Sequence, residues 1–282
     1  MKCHPRNYTS KNTHYKDSCL DTNTLQMMKQ IWNRRYPDNM IRTKNPKLLW
    51  STLKKNMSNS CSNEMCWLNN TINDNVVKNK LKKKLFAPYS PYSWKKNKNE
   101  WLSSVDINDV MRQYEETYPQ FKFFGPSSID FDTMEYKNQC VWPEICHLDI
   151  ADMKKQNKTK LGFIFNTDDH TKGGSHWIAM FVDLEKKFCF YFDSNGIEAP
   201  KEIDALMKKI YNQCKEKCEM NIKLDSNHPL VHQYTDTECG MYCLYFIVSL
   251  LKNKHNFHYF KKKRIPDKHV ENFRQIYFNP AN

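Results

Sequence analysis

A chain of 282 residues, 39% hydrophobic and 13% aromatic, can bury a core in one large domain or in one domain with an appendage. The net charge of +13 fits weak contact with nucleic acid or a solubilising surface, and Lys and Asn are spread along the whole chain. Residues 241–251 form the longest apolar run, well short of the ~18–20 residues that cross a bilayer, so no membrane role is expected.

Residues 1–10 carry no apolar core and read as no secretory signal. With that, eleven scattered cysteines without framework spacing read as reduced thiols. Asp21 or Thr24 caps a helix with Leu25, Met28 and Trp32 on one face. Asn45-Pro46 starts a second helix carrying Leu49, Leu53 and Met57. A third has Val77, Leu81 and Leu85 on its apolar side, with Lys78, Lys80, Lys82, Lys83 and Lys84 as a solvated face. Residues 86–99, with Pro88, Pro91 and a Lys-Asn tract, look like a linker. The expected division is therefore a helical arm over 1–95 and a catalytic domain over 96–282.

Beyond Glu100 the pattern mixes helices and strands. Asp106 is the expected cap of a helix bearing Ile107, Val110, Met111 and Tyr114, ended before Pro119. Extended segments follow at 121–132, 160–166, 177–182 and 188–192, the last two joined as a hairpin. Pro200 opens an amphipathic helix with Ile203, Leu206, Met207 and Ile210 on one stripe. A short strand at 222–224 precedes the apolar helix that begins at Cys239, and 267–278 reads as a last helix. The class is α+β: a central mixed or antiparallel sheet with flanking helices.

The chemistry gathers at four positions. Cys239 ends a polar loop and starts a helix, where unpaired N–H groups and the positive dipole end favour a thiolate. Gly240 keeps that turn open to a substrate. Six positions upstream, Gln233 offers a side-chain N–H to a developing oxyanion. His176 stands at the head of one hairpin strand and Asp193 at the tail of the other, so the hairpin should bring them side by side. Alone, each has a bland explanation: a structural histidine, or a turn at Asp193-Ser194-Asn195-Gly196. Together they make a nucleophile, a base, an orienter and an oxyanion donor for thiol acyl transfer.

His176-Trp177, Asp193-Ser194, Gln233 and Cys239-Gly240 resemble the ubiquitin-like-protein protease clan, with its SUMO proteases and adenovirus-type maturation proteases. Glu100-Trp101-Leu102 is similar to the Trp-Leu element that opens that catalytic domain, and Lys16-Asp17-Ser18-Cys19-Leu20 and residues 61–67 resemble the thiol proteases of giant DNA viruses and, more distantly, the asfarvirus polyprotein protease. The resemblance implies a papain-like core of the SUMO-protease type with an N-terminal helical arm. It also implies Cys239 as nucleophile, His176 as base, Asp193 as orienter, Gln233 as oxyanion donor, and Trp101 and Trp177 roofing a narrow substrate channel. SUMO proteases usually follow Trp-Leu with Asn-Asp, whereas Ser103-Ser104 follows here, which disfavours a deSUMOylase.

The function expected is a cysteine endopeptidase that cuts viral structural polyproteins after Gly-Gly-like sites, as a monomer, in the virion and the host cytoplasm. Removal of ubiquitin-like modifiers is the alternative within the class, and an inactive basic virion or nucleic-acid-binding protein the alternative outside it. Cys61-x4-Cys66, Cys140-x5-Cys146-His147 and Cys214-x3-Cys218 lack the paired spacing of a zinc ribbon or finger, so no metal or other cofactor is expected.

Overall fold

The computed structural model describes residues 1–9, 18–135 and 138–281. Lys16 and Asp17, part of the N-terminal resemblance, lie outside them. Contacts divide the chain into two units, Met1–Tyr89 with Ile276–Pro280, and Ser90–Gln275 with Ala281. The boundary after Tyr89 is six residues before the one expected at 95, and the C-terminal Ile276–Pro280 goes with the first unit.

Helices α1 (Thr22–Arg35), α2 (Pro46–Met57), α3 (Glu64–Thr71) and α4 (Asn75–Leu85) build the first unit. Asp21 caps α1 by accepting from the Thr24 N–H at 2.8 Å, and Asn45 caps α2 by accepting from the N–H groups of Lys47 and Leu48. Leu25, Met28, Leu49, Leu53, Met57 and Leu85 form one buried cluster with Trp67 and Leu68 of α3, a helix the sequence pattern did not announce. Val77 was expected on the apolar face of α4 but is exposed. The start of the supposed linker is core as well: Phe86 is buried and pairs with Cys3. Buried Glu64 accepts from Ser18 Oγ at 2.6 Å, from the Cys19 N–H at 2.8 Å and from Trp50 Nε1 at 2.5 Å, so one carboxylate joins three segments.

The reduced-thiol expectation needs correcting. Disulfides join Cys3 to Cys19, Cys61 to Cys66 and Cys140 to Cys146. Chain folding, not spacing, brings the first pair together, which is why scattered cysteines concealed it.

The second unit holds a five-stranded mixed sheet of β1 (Phe121–Ser128), β2 (Lys160–Asn166), β3 (Trp177–Asp183), β4 (Phe188–Phe192) and β5 (Lys223–Ser226), in that spatial order. The β2–β3 and β3–β4 pairs are antiparallel, and both edge pairs are parallel. On one face α8 (Lys201–Cys218) adds Ile203, Leu206, Met207 and Ile210 to a cluster with Phe163, Ile178, Met180 and Tyr191. α9 (Cys239–Leu251) is buried along its whole length and packs on β3, β2 and α5 (Ser104–Thr117). A helix that is apolar all round can only be a central one.

Three local expectations differ from the structure. Ser103 caps α5, and Asp106 is the reciprocal partner in a capping box, so the cap lies three residues earlier than expected. The short helices α6 (Pro143–Cys146) and α7 (Ile150–Lys155), and α10 (Phe257–Lys262), carried no clear periodicity. The single last helix is broken into α11 (Asp267–Glu271) and α12 (Arg274–Tyr277). Each piece has its own buried anchor: Asp267 accepts from the Tyr242 hydroxyl at 3.0 Å, and Arg274 pairs with Glu238.

Candidate active site

The hairpin register sets the candidate base and its partner. Ala179 faces Phe192 across β3 and β4, so the residues just before β3 and just after β4 run side by side. His176 Nε2 lies 2.7 Å from Asp193 Oδ1. Asp193 is buried, and the same oxygen accepts from the Asn195 N–H at 2.9 Å. Gly196 then turns the chain at φ +69°, with the Leu230 backbone 2.8 Å from where a Cβ would stand, so only glycine fits.

Asn227, which the sequence reading passed over, fixes the Asp193 backbone from both sides. Its Oδ1 accepts from the Asp193 N–H at 2.9 Å, and its Nδ2 donates to the Asp193 carbonyl at 2.7 Å. A buried asparagine with both ends engaged behaves as an extra piece of sheet beyond the last strand.

Cys239 is the first residue of α9 and only 2% exposed. The His176 side chain also hydrogen-bonds to it. Burial by itself lowers the imidazole pKa; the hydrogen bonds to Asp193 and Cys239, and their charges, outweigh it and lift the ring from 6.5 to about 9. His232 shows the contrary case. Burial holds it down to about 4, and its two ring nitrogens are taken by the Phe260 carbonyl and the Ile265 N–H, as a neutral structural group requires.

A raised folded-state pKa means the proton is held more tightly in the native protein. The stability from charged His176 is therefore complete below 6.5 and lost as pH rises through about 9. Proton donation to a leaving amine should be lost over the same range. The expected kcat profile has its alkaline limb near 9, and Asp193→Asn should move that limb down. A limb near 6.5 in the unaltered enzyme would refute the assignment.

Gln233 is buried against the same turn. Its Oε1 accepts from Ser194 Oγ at 2.8 Å, its main-chain N–H donates to the Ser194 carbonyl at 2.9 Å, and one side-chain N–H goes to the Thr235 carbonyl. The amide is thereby oriented, and its second N–H has no acceptor among the described residues. Trp177 is 8% exposed, and its indole N–H donates to the Leu102 carbonyl at 2.9 Å. Trp101, next to Leu102, is 44% exposed.

Gly240 is not open to substrate as expected. A Cβ there would lie 3.0 Å from Leu102 Cβ and 3.3 Å from Trp177 Cδ1, so its smallness admits the Leu102 segment against the helix start. Glu238 and Arg274 were missed as well. Both are buried beside the Cys239 turn, with Arg274 Nη2 3.0 Å from Glu238 Oε1. The donor atoms of Cys140, Cys146 and His147 lie within 4.8 Å of one another, but the disulfide uses both thiols.

The chain is similar to known proteins. Residues 145–281 match the Ulp1 protease family, C-terminal catalytic domain. The chain is 28% identical to a protein of Acanthamoeba polyphaga mimivirus that bears the name of a thiol protease, over 98% of this chain and 92% of that one. It is 27% identical to the cysteine protease of African swine fever virus, over 86% of this chain and 92% of that one. The crystal structure of the African swine fever virus protease has the same fold, with a TM-score of 0.68 at 23% identity, covering 100% of this chain and 96% of the other.

Fold, site and kinship together define a cysteine protease. More narrowly, residues 145–281 are similar to the C-terminal catalytic domain of the Ulp1 protease family, and viral thiol proteases are among the relatives that the chain matches over most of their length.

Proposed function

We propose that this protease is an endopeptidase that matures viral structural polyproteins after Gly-Gly, with Cys239 as nucleophile, His176 as acid and base, Asp193 as its orienter and Gln233 as oxyanion donor. The observation that carries the reading is the His176 side chain, hydrogen-bonded to both Asp193 and Cys239. The Cys239 thiolate attacks the scissile carbonyl carbon, forming the C–S bond, and the carbonyl oxygen takes the electron pair under the Gln233 N–H. On collapse, the C–N bond breaks and His176 protonates the departing amine. Water, giving its proton to His176, then splits the thioester to the carboxylate product and the thiol.

The specificity part rests on the wall beside Cys239. Trp177 is tied to the Leu102 carbonyl, and the half-exposed Trp101 immediately precedes Leu102 in the chain. Two flat rings across a cleft admit a backbone but no Cβ, which selects glycine. The whole-length viral relatives bear protease names, which fits a viral protease; on this reading it acts as a monomer, in the virion and the host cytoplasm. The basic surface fits weak nucleic-acid contact as a secondary property.

Removal of ubiquitin-like modifiers is the second reading, because the African swine fever virus relatives also bear the name SUMO-1 cysteine protease. Against it, Ser103 after Trp101-Leu102 is taken up in capping α5. A panel of peptides and modifier fusions tests both. Peptides with Gly-Gly before the cut should be cleaved, replacement of either Gly by Ala or Val should suppress cleavage, and Trp177→Ala should relax the preference while slowing the reaction. Equal turnover of Gly-Gly and Ala-Ala peptides would remove the channel. Faster turnover of modifier fusions than of any polyprotein-derived peptide would favour the second reading.

A further inference from the structure

We infer that Arg274 is a positioning residue for this site: its guanidinium ties the turn that carries Cys239 to the segment that walls the cleft. The inference rests on the reading of Cys239 as nucleophile. Arg274 Nε lies 3.2 and 3.0 Å from the two Glu238 carboxylate oxygens, and Nη2 lies 3.0 Å from Oε1. The same Nη2 donates to the Glu100 carbonyl at 2.8 Å and reaches the Thr237 carbonyl at 3.5 Å. The face of the guanidinium stacks on Trp94, 4.4 Å from the ring centroid.

Stability alone is a poor reason for such a pair. Glu238 is 0% exposed and Arg274 6%, and desolvating two charges largely cancels their attraction, so apolar residues would fill that space as well or better. What an apolar pair would not do is grip Glu238, Thr237 and Glu100 at once. A planar fork of five donors does so, and lysine's single point of charge does not.

The three gripped residues close a circuit of contacts. Cys239 adjoins Glu238, which is bound to Arg274, which is bound to Glu100. Two residues on, the Leu102 carbonyl accepts from Trp177, which adjoins His176, whose ring returns to Cys239. Nucleophile and base are thus set in relation to each other through Arg274, and Trp101 lies inside the same span. The charged or titratable groups around this turn include His176, Asp193, Tyr242, Cys243, Arg274 and Glu271. Burial pushes the Glu238 carboxyl up, and Arg274 counters it.

Arg274→Lys and Glu238→Gln in the full chain test this, by kcat and KM on a Gly-Gly peptide, by the Gly-to-Ala preference, by mass-spectrometric labelling of Cys239 with iodoacetamide, and by thermal melting. Arg274→Lys should lower kcat on the order of 10²-fold, the scale of a 1 Å misplacement of reacting groups, and narrow the Gly-to-Ala preference while Cys239 still labels. Glu238→Gln, which keeps an acceptor for Arg274 but leaves its buried charge uncompensated, should lose about tenfold in kcat and also melt at a lower temperature. A lower melting temperature with wild-type kcat and preference in Arg274→Lys makes the pair merely structural and overturns the inference. Should Arg274→Lys not fold, Glu238→Gln decides, and wild-type kcat there overturns it equally. A wild-type protein that neither cleaves nor labels at Cys239 refutes the nucleophile instead.

Discussion

Cys239→Ala should abolish cleavage, a loss on the order of 10⁶ in kcat if it behaves as other deleted covalent nucleophiles do. Iodoacetamide should label Cys239 before any other cysteine in the intact protein. The competition is narrower than eleven cysteines suggest, because three disulfides leave Cys189, Cys214, Cys218, Cys239 and Cys243 as free thiols. Burial pushes Cys189 up, takes Cys214 up to about 11 and holds Cys243 well above the ordinary thiol range. That leaves Cys218, which is half-buried and more accessible than Cys239. If accessibility ruled, Cys218 would label first. If the hydrogen bond to a protonated His176 rules, Cys239 wins despite its burial. Peptide mapping after brief alkylation separates the two, and early label on Cys218 with Cys239 silent would count against the whole site.

The supporting residues should rank His176 above Asp193 above Gln233. Without His176 there is neither an imidazolium to pair with the thiolate nor a proton for the leaving amine, and the loss should approach that of Cys239→Ala. Asp193→Ala leaves a ring that is still able to act but free to turn, a loss on the order of 10⁴. Gln233→Ala removes one donor from the oxyanion, on the order of 10²–10³ in kcat with KM little changed. It also releases Ser194 Oγ from its acceptor, so Gln233→Glu, which keeps that acceptor, distinguishes lost catalysis from a loosened turn. Near-normal turnover in His176→Ala beside a dead Asp193→Ala would reverse the two roles.

What was legible in the sequence is what local periodicity encodes. The run after Cys239 is apolar on every side, so it had to be a buried helix, and its first residue had to be where the polar loop stops. The 17-residue gap between His176 and Asp193 spans one hairpin, whose two-residue period sets which side chains meet. The caps at Asp21 and Asn45 and the stripe of α8 follow from the same short-range rules.

Contacts between distant segments were decided only by the tertiary structure. Trp177 meets Leu102 from 75 residues away, Asn227 reaches Asp193 across 34, and Arg274 reaches Glu100 across 174. Nothing in the periodicity around Arg274 marks it, since a charged residue on a short helix looks alike whether it faces water or a buried carboxylate. Gly240 was misread for the same reason. An absent side chain next to a nucleophile suggests room for substrate, but Leu102 occupies the space. The chain's own local preferences determine its helices, its hairpin and the two candidate reacting groups that the hairpin and helix present. Which remote backbone comes to lie against them depends on how the whole core closes, and no single stretch contains that information.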